Sequence, residues 1–239
     1  MRPVEKGPWP TFQNGNRKVF NQSSRAAKFL IQRTGDETNR YCHLCEMQIT
    51  NAPAVEHIKP EEHFPRLANH WDNFLLICSY CNARKRDKIP TSPYRKHYYW
   101  PHINNTFMAF KPSLTGVIEI NQHYVNLPPQ IERAQNLIDI YQLDAIVGPG
   151  GGLDIRFAQR LRALNMAIER KRERANNTAT IAAIIDMATT TGFLSIWLMV
   201  FDDIQDVKQA LINCPVFHLA ETNCFDVNYN LVPRIAGDL

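Results

Sequence analysis

The sequence predicts an α+β protein, with a zinc-stabilised unit in its first half and a mainly helical second half. Two Cys-x-x-Cys pairs, separated by roughly thirty residues, indicate one metal-binding unit. Short apolar segments at 107–110 and 117–120, separated by Ser113-Leu114-Thr115-Gly116, are typical of a β-hairpin. From Gln130 onward, apolar residues recur at helical spacing. The 239 residues suit one large or two small domains, and 44% hydrophobic residues are enough for a core.

The cysteine pairs predict a structural zinc site. Cys42 and Cys45 form the first pair, and Cys78 and Cys81 form the second. Each pair places two thiolates on one tight turn, and zinc prefers four soft ligands in a tetrahedron. A disulfide is a weaker interpretation because nothing indicates export, and a redox role for one pair would leave the other unexplained. Two further cysteines lie far from both pairs and are expected to be ordinary buried thiols: Cys214 and Cys224.

The insert between the two pairs holds a second group of polar residues. Glu56 and His57 are adjacent, Asn73 precedes an apolar run, and Asn82 follows the fourth cysteine, three residues before Lys85. In this order and spacing they resemble the motif of the HNH endonucleases, in its His-Asn-Asn variant framed by zinc-binding cysteine pairs. The resemblance implies the ββα-metal fold of that family, two strands and a helix around one catalytic metal ion. The expected fold is therefore a zinc-stabilised ββα-metal nuclease module with a mainly helical C-terminal half.

The same resemblance implies a role for each residue. His57 would be the general base, since histidine can take a proton near neutral pH. Glu56 and Asn82 would bind the catalytic ion, and oxygen ligands suit Mg²⁺ or Mn²⁺. The family usually has Asp at the position of Glu56, so the longer side chain changes the ligation geometry. Asn73 would hold the insert loop and orient His57. Three basic residues lie at hand for phosphates: Arg84, Lys85 and Arg86.

The charge is unevenly distributed along the chain. Residues 1–100 hold 16 Lys and Arg against 9 Asp and Glu, a net charge of +7. Residues 101–239 hold 11 against 14, a net charge of −3. The positive charge therefore accompanies the candidate site, as a polyanionic substrate such as DNA would favour. The second half offers no charge argument for nucleic acid.

Before and after the metal unit, the first half contains three predicted segments. Residues 3–15 are predicted to form an extended arm and 16–33 a helix. The basic and aromatic residues 94–101 favour a half-buried strand over a surface that stacks on bases. The predicted helix carries five basic residues that could approach phosphates: Arg17, Lys18, Arg25, Lys28 and Arg33. An ordinary solvated face is favoured for them. The apolar residues at 71–77 are expected in the core.

The second half is predicted to be a series of helices. A helical pattern begins at Gln130, and the glycine-rich segment 148–152 interrupts it. Asp154 is expected to cap the next helix, and 178–187 to form another. The apolar segment 192–201 should be buried. The helix after Asp154 carries basic residues for which a solvated face is favoured over a phosphate or partner surface: Arg156, Arg160, Arg170, Lys171, Arg172 and Arg174.

The expected organisation is an N-terminal arm and helix (1–40), the nuclease module (41–125) and a helical region (126–239). The expected activity is metal-dependent cleavage of DNA. The chain also resembles HNH proteins of bacterial anti-phage systems such as Septu, in which a nuclease is encoded beside an ATPase. The resemblance implies an ATPase partner for the helical region, with a homo-oligomer as the alternative. Two alternative functions stay open: a zinc-dependent nucleic-acid-binding module without catalysis, and a nuclease acting on RNA.

The start of the chain shows no apolar core of a signal peptide, and no apolar run reaches transmembrane length. From these features a soluble, cytoplasmic protein without a membrane partner is expected. Unpaired thiols bind zinc readily in that reducing compartment.

Overall fold

The structure, a computed structural model, describes residues 1–20, 22, 24–51, 53–85, 94–235 and 237–239, with the backbone alone at 94 and 95. The helices of this part of the chain are α1 (Ser24–Thr34), α2 (Ser79–Lys85), α3 (Tyr94–His97), α4 (Thr106–Ala109), α5 (Pro128–Tyr141), α6 (Ile155–Ala175), α7 (Ile181–Thr191), α8 (Leu194–Val200) and α9 (Gln205–Ile212). Its strands are β1 (Ala54–His57), β2 (Phe74–Ile77), β3 (Phe110–Pro112) and β4 (Ile118–Ile120). The α+β class is therefore confirmed.

The first two strands and the helix after them form the predicted ββα arrangement. β1 and β2 pair antiparallel, with Glu56 opposite Leu75 and His57 opposite Phe74. All of β2 is buried, as expected for a continuous apolar run. Successive side chains of a strand point to opposite faces. Glu56 accordingly meets residues of α2 and α5, whereas the His57 ring lies beside Phe74 on the other face.

Two hydrophobic cores organise the described chain. The first contains the β1–β2 hairpin, α1, the β3–β4 hairpin and α5. The second is built mainly from α6, α7, α8 and α9. Residues beside the first cysteine turn connect the two, since the Tyr41 hydroxyl donates to the Thr189 carbonyl at 2.6 Å and Glu46 accepts from the Ser195 amide at 2.9 Å. The predicted boundary at 125/126 falls within the first core, and the three-part division stays a prediction.

Asp154 caps α6 as the sequence predicts, accepting from the Arg156 backbone amide at 2.9 Å. The solvated position expected for Arg156 and Arg160 was wrong, because each is only 1% exposed. Both guanidinium groups donate to carbonyls at the end of α5, where Gln142 adopts a left-handed conformation. Helix ends leave carbonyls without partners, and these two arginines supply the missing donors.

Three predicted elements differ from those observed. The first strand of the hairpin, expected at 107–110, is mostly helical, since α4 covers Thr106–Ala109 and β3 begins only at Phe110. The helix expected from residue 16 begins only at Ser24, and residues 10–18 instead form a tight hairpin closed by a bridge between Thr11 and Arg17. The strand expected at 94–101 was wrong: α3 occupies its start, although the aromatic residues after it are buried as expected. Within the described residues, the helices are too short or too polar to cross a membrane.

Candidate active site and zinc site

The four predicted zinc ligands form one buried cluster. The Sγ atoms of Cys42, Cys45, Cys78 and Cys81 all lie within 4.8 Å of one another, and those of Cys45 and Cys78 are 3.7 Å apart. A tetrahedral ion with Zn–S bonds of about 2.3 Å holds its sulfur atoms about 3.8 Å apart. The cluster therefore fits a structural zinc ion. Cys214 and Cys224 are buried thiols outside it, as predicted.

Groups from outside the cysteine turns support this cluster. Arg156 of α6 approaches the Cys81 Sγ atom at 3.6 Å and forms a buried ion pair with Asp154 at 2.8 Å. A zinc ion with four thiolates carries a net negative charge, which a buried guanidinium balances. The imidazole of His43 accepts from the Leu76 amide at 3.2 Å and contacts the Thr34 hydroxyl, so it is a satisfied core residue.

His57 lies at the end of β1 with its side chain 13% exposed. Its Nε2 atom is 2.8 Å from the Ala68 carbonyl oxygen. A carbonyl can only accept, so in the neutral ring Nε2 carries the hydrogen and Nδ1 holds the lone pair. The Glu61 carboxylate lies 3.7 Å from the same Nε2 atom. This geometry leaves Nδ1 as the basic atom.

Asn73 fastens the loop that leads from β1 to β2. Its Oδ1 atom accepts from the Lys59 amide at 2.8 Å, and its Nδ2 atom donates to the carbonyls of Lys59 at 2.9 Å and Leu67 at 3.1 Å. Ala68, whose carbonyl contacts His57, is the next residue. Asn73 therefore acts on His57 through the loop and makes no direct hydrogen bond to the ring.

Glu56 is buried in an ion pair with Lys85 of α2. The Tyr141 hydroxyl donates to the Glu56 Oε1 atom at 3.1 Å, and Lys85 also donates to the His57 carbonyl. Burial, followed by the nearby charge of Glu56, raises the pKa of Tyr141 well above its usual value, so the hydroxyl remains a donor. The carboxylate is thus already balanced by a cation and a hydroxyl.

Asn82 does not meet Glu56 in this arrangement. Its side chain is exposed on α2, and within the described chain it forms no hydrogen bond with Glu56 or His57. A magnesium or manganese ion needs several oxygen ligands around one point. Glu56 and Asn82 could serve one ion only after Lys85 leaves the carboxylate, so this pair as it stands does not fit a catalytic ion.

The three residues predicted for phosphate binding differ in their contacts in the structure. Arg84 donates to the Gln142 side chain and to the Asp154 carboxylate at 2.7 Å. Lys85 is buried against Glu56. Arg86 lies outside the described residues. The contacts of Arg84 and Lys85 leave these two side chains little capacity for a phosphate.

Sequence reasoning missed several partners of these sites. Glu61 and the Ala68 carbonyl serve His57, Tyr141 serves Glu56, and Arg156 serves the cysteines. Glu61 stands four residues after His57 and could have been found from its charge. Tyr141 and Arg156 lie far along the chain, and their sequence surroundings are ordinary helix patterns.

Comparisons with known proteins agree with the geometry of the first half. Residues 40–88 match the family model described as HNH endonuclease. Neither curated proteins nor solved structures gave a significant match to the chain. The matched range contains both cysteine pairs, β1, β2 and α2. Residues 40–88 are therefore similar to the HNH endonuclease domain, and this similarity suggests a nuclease.

Proposed function

We propose that this protein is an endonuclease that hydrolyses phosphodiester bonds in DNA, with His57 as the general base. One observation carries the assignment: the Ala68 carbonyl holds the Nε2 hydrogen of His57 and leaves Nδ1 as the proton acceptor. A histidine base contributes about a hundred- to ten-thousand-fold to a rate. The HNH domain and the net charge of +7 over residues 1–100 support a polyanionic substrate.

In the proposed reaction, His57 Nδ1 takes a proton from a water molecule. The resulting hydroxide attacks phosphorus in line, the bond from phosphorus to the 3′ oxygen breaks, and the leaving oxygen takes a proton from solvent. Glu61, 3.7 Å from Nε2, stabilises the imidazolium that forms. Asn73 keeps the loop closed, so that the Ala68 carbonyl stays in place through the proton transfer.

Divalent metals are used by HNH nucleases, and Mg²⁺ or Mn²⁺ is the cofactor that we propose. When bound, such an ion stabilises charge that develops on the phosphate and on the leaving oxygen. The Glu56–Lys85 ion pair does not offer a ready carboxylate for it.

The central test is cleavage of plasmid DNA and of RNA by the wild type and by His57→Ala, with Mg²⁺, with Mn²⁺ or without either. We expect His57→Ala to fold, to retain zinc and to lose about two to four orders of magnitude in cleavage rate. His63→Ala is a matched control, because His63 lies exposed on the same loop. A His57→Ala protein that cuts as fast as the wild type would refute the assignment.

The Glu56–Lys85 ion pair favours a second candidate, a zinc-dependent module that binds nucleic acid without cutting it. The cleavage experiment, with DNA binding measured on the same protein, separates the two functions. A wild type that binds DNA but cleaves neither DNA nor RNA with any of the ions supports the binding module. Cleavage of RNA alone would keep the nuclease and change its substrate.

We further propose an anti-phage role with an ATPase partner, with the helical second half as the docking region. The net charge of −3 over residues 101–239 makes a role there in binding nucleic acid less favourable. Deleting everything after Gly152 is a poor test, because it removes Arg156 from the cysteines and Ser195 from Glu46. Affinity purification of the full-length chain, expressed with its genomic neighbours, tests the partner instead. Recovery of free or self-associated chains alone contradicts it.

A further inference from the structure

We infer that four cations near the N-terminus, the N-terminal basic surface (Arg17, Lys18, Arg25 and Lys28), bind the phosphodiester backbone of the substrate and guide it towards His57. This inference rests on the proposed function and names the surface that the substrate would use. Phosphate contacts of this kind set position and affinity, and they carry no sequence information. The chemistry recognised is a repeated anionic backbone.

The N-terminal basic surface lies in a segment without negative charge. Residues 6–35 contain six basic residues and no acidic one. Lys6 and Arg33 direct their side chains to backbone carbonyls, but none of the other four forms an ion pair with an acidic group in the described chain. Four exposed or half-exposed cations without counter-charges are a natural site for a polyanion.

Aromatic rings hold the cations of the hairpin at 10–18 in place. The Trp9 indole donates to the Lys18 carbonyl at 2.8 Å, which fastens the hairpin to the body of the protein. The Arg17 guanidinium lies 5.4 Å from the Trp9 ring centre, and the Lys18 ammonium lies 4.3 Å from that of Phe12. Such contacts restrict the long side chains and leave their N–H donors open, so less conformational entropy is lost when a phosphate binds.

The hairpin and α1 present their cations on one continuous surface. The Lys18 ammonium also lies 5.4 Å from the ring of Phe29 in α1. Arg25 and Lys28 are exposed on α1 at a spacing of three residues, which places them on the same face of the helix. Cations from two elements therefore meet around Phe29.

This surface adjoins the loop that contacts His57. Trp9 packs edge-on against His70 with ring centres 4.8 Å apart, and His70 lies two residues after Ala68. Phe20, which follows the hairpin, packs against Phe74, and Phe74 also packs against the His57 ring. The hairpin is thus connected to the proposed base through two buried aromatic residues, Phe20 and Phe74, and to the Ala68 loop through Trp9 and His70.

The basic end of α6 is the opposite case. Each of its four cations faces an acidic partner: Arg170 with Glu173, Lys171 with Asp203, Arg172 with Glu169, and Arg174 with Asp206. The two groups have the same number of charges, but only the N-terminal group lacks counter-charges. The α6 group therefore serves as a matched control.

Binding of fluorescent duplex DNA is measured at several NaCl concentrations, with His57→Ala present in every chain to prevent cleavage. Arg17→Gln, Lys18→Gln, Arg25→Gln and Lys28→Gln are combined in one variant. Its plot of log affinity against log salt should be less steep by about three to four units, since about one unit is lost per phosphate contact. Single-stranded RNA of equal length is measured in parallel, to determine whether the surface binds the backbone of DNA or of RNA.

The control combines Arg170→Gln, Lys171→Gln, Arg172→Gln and Arg174→Gln, with the same loss of charge. Its salt dependence should stay within about one unit of the parent. Equal losses in both variants would show an effect of net charge alone and would overturn the inference, as would unchanged binding by the N-terminal variant. Zinc content and unfolding curves verify that the variants are folded. If the combined variant misfolds, the single variants Arg17→Gln and Lys28→Gln replace it, and the salt slope of each should decrease by about one unit.

A second readout separates this inference from the proposed function. In chains with His57 intact, the N-terminal variant should cleave plasmid DNA at least about tenfold more slowly at moderate salt. Hydrolysis of bis(p-nitrophenyl) phosphate should be unchanged, because that small diester has no extended backbone. Loss of both activities would place these cations in the reaction itself and overturn a guiding role. If the wild type hydrolyses neither substrate, the proposed function fails while the binding experiment still decides the inference.

Discussion

The cysteine cluster and the histidine site lie in the same part of the chain but differ in how many of their reactive atoms have protein partners. Each cysteine pair spans a single turn, and all four Sγ atoms are buried within 4.8 Å of one another. The histidine site, by which we mean His57 with Glu61, Ala68 and Asn73, is assembled across the loop between β1 and β2. It also keeps one ring nitrogen without a partner in the described chain.

The difference separates a closed structural site from an open reactive one. A structural zinc site has all four positions filled by protein and contributes directly to folding. A general base must leave one atom accessible to water and substrate, so its residues contribute less to stability. Substitutions in the cluster should therefore change folding, and substitutions at the histidine site should change activity first.

The largest expected effect is loss of the zinc ion. Apparent binding energies of structural zinc are about 10–16 kcal/mol, as large as the whole stability of many domains. Cys78→Ser should therefore yield an insoluble or unfolded first half, whereas the wild type carries one zinc per four-cysteine cluster. Elemental analysis and circular dichroism measure both. Cys214→Ser is the control, since that thiol lies outside the cluster, and a folded Cys78→Ser protein with full zinc content would disprove the site.

The next effect concerns the Glu56–Lys85 ion pair. Glu56→Ala leaves the buried Lys85 ammonium without its carboxylate, which should cost about 3–5 kcal/mol in the free energy of unfolding. Urea denaturation measures this cost. Glu56→Leu combined with Lys85→Met should recover most of it, because no unpaired charge remains. A cost below about 1 kcal/mol would mean that the Glu56 carboxylate is solvated without Lys85 and is free to act as a metal ligand.

Asn73→Ala tests the support of the histidine site. It removes the partners of the Lys59 amide and of the carbonyls of Lys59 and Leu67, which should cost about 1–3 kcal/mol. If Asn73 orients His57 through the loop, cleavage should fall by a larger factor than stability alone explains, with KM nearly unchanged. Rates measured well below the unfolding midpoint separate the two effects. An unchanged kcat would remove Asn73 from the site.

The smallest effect is the pH dependence of the support around the cysteines. Burial alone would raise the pKa of Asp154, but the hydrogen bonds and charge of Arg156, with help from Arg84, lower it to about 2. The folded value lies below the unfolded value of about 3.9, so the stabilisation is complete above about pH 4 and is lost as the pH falls towards 2. Asp154→Asn should cost about 1 kcal/mol at neutral pH.

Urea midpoints of the wild type and Asp154→Asn, measured from neutral pH down to about pH 3, should draw closer below about pH 4, because the unfolded chain then binds a proton that folded Asp154 does not yet bind. The sequence change is nearly isosteric, so packing contributes little to the difference. Curves that stay a constant distance apart would show that the ion pair with Arg156 does not stabilise the fold through its charge.

The cysteine cluster could be predicted in full because each pair lies on one tight turn and zinc needs four ligands, so the two pairs are expected to meet. The buried strand β2 and the Asp154 cap were likewise predictable from an apolar run and from a residue type at a helix start. The order of Glu56, His57, Asn73 and Asn82 indicated the HNH domain, and the comparison of residues 40–88 supports that family. In these cases the residue types and their spacing follow a known pattern, although the two cysteine turns that meet are 33 residues apart.

The tertiary structure decided which polar groups are buried together. Arg156 and Arg160 have the spacing of an exposed helix face, but their guanidinium groups are buried because the end of α5 lacks donors. Glu56 contacts Tyr141, which is 85 residues away, and it also forms an ion pair with Lys85 of α2. Residue spacing determined the zinc turns and the HNH motif. Only packing determined which of the neighbouring polar side chains are free to react, because desolvation and charge pairing act between elements that the fold brings together.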